Sequence, residues 1–231
     1  RKEPSLCKVC KTGIAGLCND KETTSRCLTE KKYGHVIING IPDMSDFDQE
    51  AVYVPAAIDL DMWKFKEVET EPKARGTKVI QVTGNIAVRG DVKGVRYAVQ
   101  AIERLREDGY NIDLILIDKV PVRNMPSVIA EADIVIDNLL YGWYGLTAIE
   151  AMALGKPVIA YLHEPWLQFH CERFPRPPII ESGPRGLYSV LKEVISKEDF
   201  WRLGLSGRQY VEETHDPMKI GRKLIELYSS A

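Results

Sequence analysis

The chain has 231 residues, with 31 basic against 33 acidic side chains and a formal net charge of −2. Hydrophobic residues make up 45% and charged residues 28%, which excludes a disordered or fibrous chain. The near-neutral balance argues against a nucleic-acid binder, whose footprint would be a surplus of Lys and Arg. At roughly 100–200 residues per domain, this length allows one domain and a fragment of another. The sequence starts at Arg1 without an apolar leader, so it reads as a piece of a longer protein. Apolar runs such as 134–136 and 158–162 fall far short of the ~20 residues a membrane span needs. A cytoplasmic domain is expected, with peripheral association at a membrane left open.

Residues 1–35 read as a separate small module. Positions 1–32 hold eight basic and four acidic side chains, a local net of +4 that leaves the rest at −6. Four of the five cysteines, Cys7, Cys10, Cys18 and Cys27, lie in this stretch with the spacing C-x2-C-x7-C-x8-C. In a reducing compartment such a cluster points to metal or redox chemistry rather than a disulfide framework. A structural zinc held by four thiolates would fix a segment too short to build its own core. Lys8, Lys11, Lys21 and Arg26 would then offset the excess negative charge. Free thiols, an iron–sulfur site and disulfides are the alternatives. Cys171 stands apart and is expected to be buried.

Residues 36–65 read as strand, loop and linker: HVIIN from His35, then VYVP from Val52, leading to Trp63 and Phe65. Residues 66–231 alternate apolar runs with amphipathic stretches. KVIQVT over 78–83, closed by Gly84, is a strand and turn. Over 93–106, Val95, Val99 and Ile102 share a helical face beside Ala98 and Leu105. IDLILI over 112–117 is a buried strand, 125–132 a short helix, and DIVID over 133–137 the next strand. A helix over 146–154 is stopped by Gly155. VIAYL over 158–162 follows as a strand, then a short one over 178–181, then helices from Gly186 to the end, with Asp216-Pro217 marking one start. Nearly continuous apolar strands separated by helices imply an α/β fold, a doubly wound parallel sheet covered on both faces. Ligands bind at the carboxyl ends of such strands.

Two segments carry chemistry. In DIVIDNLLYGWYGLTAIEAMALGKPVIA (133–160) a strand enters a loop with Gly142 and Gly145, and a helix begins near Leu146. Glycines let backbone approach a ligand, and a helix start offers unpaired N–H groups to an anion. Glu150 lies one turn in, where a carboxylate suits a ribose hydroxyl pair; a tight strand-to-helix turn with a solvated Glu has the same spacing. In GNIAVRGDVKG (84–94), Arg89 and Lys93 would offset the charge a departing nucleoside diphosphate gains, or they are solvated loop charges.

EAMALGKPVIA (150–160) resembles the donor-binding signature of retaining GT-B glycosyltransferases of the group 1, family 4-like kind, in a subgroup with a GWYG loop. The resemblance covers about residues 53–231, the nucleotide-sugar half of a two-domain enzyme. It implies a Rossmann-like donor domain with a small Cys-rich remnant before it. It also implies transfer of a sugar from a nucleoside-diphosphate sugar to a glycan, lipid or small-molecule acceptor hydroxyl with retention, without a catalytic metal. Glu150 would contact the nucleotide ribose, and N–H groups near Gly145, Leu146 and Thr147 would face the diphosphate. Gly84, Asn85 and Lys93 occupy the family's Gly-Arg and Lys-Gly positions, with Asn85 where Arg is usual and Arg89 as its substitute. The acceptor half, a preceding GT-B domain, is missing, so the chain alone is expected to bind nucleotide without transferring sugar.

The sequence departs from the family at Gly142, where a sugar-contacting Glu is usual, and at 162–166, where LHEPW replaces a Gly-Gly turn. These departures keep a non-catalytic sugar-nucleotide-binding module and a GT-B-fold sugar-nucleotide epimerase as alternatives. His163 is either a cleft residue or a packed or exposed loop histidine, and Trp201 and Tyr210 read as packing.

Overall fold

A computed structural model of the chain describes residues 32, 34, 36–42, 51–65, 77–82, 91, 93–197 and 199–230. Cys7, Cys10, Cys18 and Cys27 lie outside them, as do Gly84, Asn85 and Arg89. Strands β1 (Ile38–Asn39) and β2 (Val52–Tyr53) form a short parallel pair. The main sheet holds β3 (Thr77–Val82), β4 (Ile112–Ile117), β5 (Ile134–Ile136), β6 (Val158–Ala160) and β7 (Ile180–Glu181). Their spatial order is β4-β3-β5-β6-β7, and every neighbouring pair is parallel. From β3 the chain steps outward to β4, then returns to lay β5 on the other flank of β3. The strand order therefore reverses at the β3/β5 junction.

Seven α-helices appear among the described residues: α1 (Val95–Glu107), α2 (Met125–Ala130), α3 (Leu146–Ala153), α4 (Glu164–Cys171), α5 (Leu187–Ile195), α6 (Leu205–Thr214) and α7 (Pro217–Ser230). Because strand side chains alternate between faces, the sheet feeds two cores. Ile134, Ile136 and Ile159 pack with Ala98, Ile102 and Leu105 of α1 and with Leu187 and Leu191 of α5. Val135 and Val158 turn the other way, onto Ile129 of α2, Met152 of α3 and Val211 of α6. Each fully buried Ile or Leu contributes about 1.5–3 kcal/mol. The expected doubly wound architecture is present.

The segment before β3 joins the second core, since Ile58 and Trp63 are buried with α3 and α6 side chains. Arg208 of α6 reaches back to donate to the carbonyls of Trp63 and Ala153 at 2.8 and 3.1 Å. Ile220 is the one buried residue of α7, which leaves Met218, Ile225 and Tyr228 exposed. Asp216 caps that helix by accepting the N–H groups of Met218 and Lys219, as the Asp-Pro pair predicts.

Helix α4 has no counterpart among the elements the sequence predicts: it starts at Glu164, with Pro165 in its first turn, where the missing proline N–H is no loss. Cys171 ends that helix exposed rather than buried, because α4 turns Trp166, Leu167 and His170 inward and Cys171 outward.

Candidate functional site

The carboxyl ends of β3 and β5 open the crevice where such sheets bind ligands. Lys93 reaches this junction just before α1. Gly94 follows with φ +79, and a Cβ there would sit 3.1 Å from the Cβ of Leu139, so the residue after Lys93 must be glycine. The Leu139 N–H donates to the Lys93 carbonyl at 3.0 Å. Asp91 accepts the N–H groups of Val95 and Arg96 and so caps α1. The lysine is thus tied at its backbone to the loop leaving β5.

Its side chain is tied there as well. Lys93 Nζ lies 2.8 Å from Asp137 Oδ1 and 3.3 Å from Thr147 Oγ1. Asp137 is fully buried, and its second oxygen accepts the Gly145 N–H. The first intrahelical bond of α3 is Ala148 N–H to the Gly145 carbonyl at 3.1 Å. The N–H groups of Leu146 and Thr147 therefore precede it and point out of the helix start. Glu150, half-buried one turn along, has its carboxyl pushed up to about 7. Burial is the main cause; the Lys93 charge pulls the other way and the Asp137 charge adds to the rise. At neutral pH this group stands between its protonated and ionised forms.

The GWYG loop that delivers α3 is anchored at every residue. Gly142 has φ +85, and a Cβ there would lie 3.0 Å from the Cβ of His163 and 3.1 Å from Trp166. Its carbonyl accepts the His163 N–H at 2.7 Å. Trp143 is buried against Tyr144 and His170, with ring centroids 4.7 and 5.2 Å apart, and its carbonyl accepts Asn138 Nδ2 at 3.0 Å. Tyr144 Oη lies 2.6 Å from Tyr210 Oη and 3.2 Å from His215 Nε2.

That phenol opens a buried chain of hydrogen bonds. His215 Nδ1 faces the Ala56 carbonyl at 2.6 Å, so it carries the proton and Nε2 accepts from Tyr144. His170 Nε2 faces the Pro175 carbonyl at 3.1 Å and Nδ1 the Tyr53 hydroxyl at 3.0 Å. Tyr210 Oη also lies 2.9 Å from His170 Nε2. Burial pushes both imidazoles down from 6.5 to about 4 and all three phenols up. The unfolded chain therefore binds more protons than the folded one between those values. The contribution of the two rings to stability should be full above pH 6.5 and fall toward pH 4, by on the order of 3 kcal/mol per ring. Urea titrations at pH 7 and pH 4.5 test this, and equal midpoints would contradict it.

The structure brings Lys93, Gly145, Leu146, Thr147 and Glu150 together around Asp137 at the carboxyl end of β5. The roles of Gly145 and Thr147 differ from a simple anion cradle, because the Gly145 N–H donates to Asp137 and the Thr147 hydroxyl oxygen accepts from Lys93 Nζ. Asp137 escaped the sequence reading, although a carboxylate closing an all-apolar strand was a visible signal. Among the described residues, no group of three or more His, Cys, Asp or Glu side chains is placed to hold a metal, and no helix is long and apolar enough to cross a membrane.

Solved structures share this architecture. A sucrose-phosphate synthase from Thermosynechococcus elongatus matches with TM-score 0.68 at 19% identity, over 98% of this chain and 66% of that one. HepE of Anabaena in complex with UDP matches with TM-score 0.68 at 12% identity, over 94% and 70% of the two chains; HepE has also been solved with UDP-glucose. WaaG, a glycosyltransferase involved in lipopolysaccharide biosynthesis, matches with TM-score 0.58 at 15% identity, over 95% and 71%. The chain thus spans about two thirds of the length of the first of these structures, 66%. These neighbours are GT-B glycosyltransferases, and at such identities the likeness is one of fold. No protein-family model matches the sequence, and no curated protein matches it.

Proposed function

We propose that this chain is the donor-binding half of a retaining glycosyltransferase that moves a sugar from a nucleoside-diphosphate sugar to an acceptor hydroxyl. The observation that carries the proposal is the meeting of Lys93, the first turn of α3 and Glu150 at the β3/β5 crevice. It is supported by a fold in which the neighbour HepE holds UDP and UDP-glucose. Lys93 and the N–H groups of Leu146 and Thr147 offset the charge that the diphosphate gains as it leaves. Glu150 takes the ribose hydroxyls. Gly84, Asn85 and Arg89, outside the described residues, belong to the same phosphate loop by resemblance. Acceptor binding falls to a preceding domain, so the 231-residue chain should bind donor without transferring sugar.

A non-catalytic sugar-nucleotide module is the second reading. It is favoured by Gly142, whose side-chain space is filled by His163 and Trp166 and which offers no carboxylate to a donor sugar. A donor-hydrolysis and transfer assay with the chain joined to an acceptor domain separates the two. Turnover supports the enzyme, and saturable binding without turnover supports the module.

Glu150→Gln gives a prediction with two signs. Nucleotide affinity should drop by about 1.5–3 kcal/mol through loss of a charge-assisted bond to the ribose. The folded carboxyl titrates above its ordinary value, so its contribution to stability falls as pH rises from about 4.5 to about 7. The variant should therefore be more stable than the parent at pH 8, by about 1 kcal/mol once solvent screening is allowed for. Calorimetric titration and thermal melts check both halves, and unchanged affinity would remove Glu150 from the site.

A further inference from the structure

We infer that Asp137 is the positioning residue of the diphosphate site, its buried carboxylate holding the Lys93 ammonium and the entry to α3 in one fixed arrangement. The inference rests on the crevice being a nucleoside-diphosphate site. Lysine is a poor anion clamp by itself, since a flexible four-carbon stem must be ordered at the moment of binding. Here it is ordered beforehand. Asp137 is rigid because its own N–H pairs with the Ile159 carbonyl in the sheet at 2.9 Å. One oxygen accepts Lys93 Nζ at 2.8 Å and the other accepts the Gly145 N–H. Thr147 Oγ1, 3.3 Å from Nζ, fixes the ammonium from the helix side.

An ammonium has three donors. Among the described residues Asp137 and Thr147 take two, and the third is assigned to the diphosphate. One carboxylate therefore sets the lysine and the helix start relative to each other, so that both meet the same diphosphate. An amide of the same shape cannot do this. It has one acceptor oxygen for two donors, and its NH2 would face either Nζ or the Gly145 N–H.

The test compares Asp137→Asn with the parent chain. UDP, GDP and ADP are titrated into the parent, and the tightest is carried on together with its nucleoside. Asp137→Asn should weaken the diphosphate at least tenfold and leave the nucleoside within twofold, because base and ribose contacts do not pass through Lys93. Thr147→Val, which removes only the second lysine acceptor, should show the same selective loss at two- to fivefold, and it decides the matter if Asp137→Asn does not fold. Equal losses for diphosphate and nucleoside would reduce Asp137 to a structural residue and overturn the inference. So would tighter diphosphate binding, which would make Asp137 a competitor for Lys93. If the parent chain binds none of the three diphosphates, the crevice is misassigned and the inference falls with it; if it binds one and the losses are unselective, the inference alone falls.

Discussion

Replacing Lys93 by methionine is expected to lower the unfolding free energy by about 3–5 kcal/mol, a large share of the roughly 5–15 kcal/mol a domain holds. The pair it breaks is unequal: the Lys93 side chain is 18% exposed and that of Asp137 0%. Methionine matches the length and apolar stem of lysine, so little packing is lost. What is lost is the ammonium facing a carboxylate that has no access to water, and desolvating that charge dominates. Adding Asp137→Asn to Lys93→Met should therefore recover part of the stability, since a neutral amide tolerates burial better than an ion. Urea titrations of the parent, Lys93→Met and the double variant measure this. A loss below about 1 kcal/mol for Lys93→Met would mean that the pair is screened as a surface pair is.

Gly142→Glu should break the loop rather than restore a carboxylate to it. The backbone at Gly142 has φ +85, a conformation that costs an L-residue about 1–2 kcal/mol. The new Cβ would meet His163 at 3.0 Å and Trp166 at 3.1 Å, overpacking that adds about 1–3 kcal/mol. Relief would pull the Gly142 carbonyl off the His163 N–H and swing the loop that delivers Gly145 and α3. We expect a loss of about 3 kcal/mol in stability and weaker nucleotide binding, read by thermal melts and calorimetric titration. A folded Gly142→Glu variant with tighter donor binding would show that the loop has room the geometry denies.

The strands of the α/β unit were legible because each is a short apolar run bounded by punctuation. Ile112–Ile117 was located to the residue, and DIVID and VIAYL exceeded the observed strands by one residue at each end and by two at the carboxyl end. Helix α4 was missed because its eight residues carry two prolines' worth of misdirection in their neighbourhood, Pro165 inside and Pro175 beyond. The Glu-Pro start was nevertheless a readable signal. At the site, Glu150 and Lys93 were legible through spacing and glycine punctuation. Asp137 shows only as a carboxylate closing an apolar strand; its role does not show, because its partners lie 44 and 8 residues away in sequence, and only the strand order β4-β3-β5 brings Lys93 beside the end of β5. The imidazole–phenol chain was invisible for the same reason. His170 and His215 each look like ordinary packed histidines until Tyr53, 117 residues from His170, is seen to share its proton network.

On the proposed function, one nucleoside diphosphate occupies the crevice between the ends of β3 and β5. Calorimetric titration of the 231-residue chain with UDP, GDP and ADP, repeated in the presence of inorganic pyrophosphate and with Glu150→Ala, tests it most directly. Saturable binding of at least one of them is expected at one per chain, competed by pyrophosphate and weakened at least tenfold by Glu150→Ala. Absence of saturable binding, or binding that neither pyrophosphate nor Glu150→Ala disturbs, would contradict it.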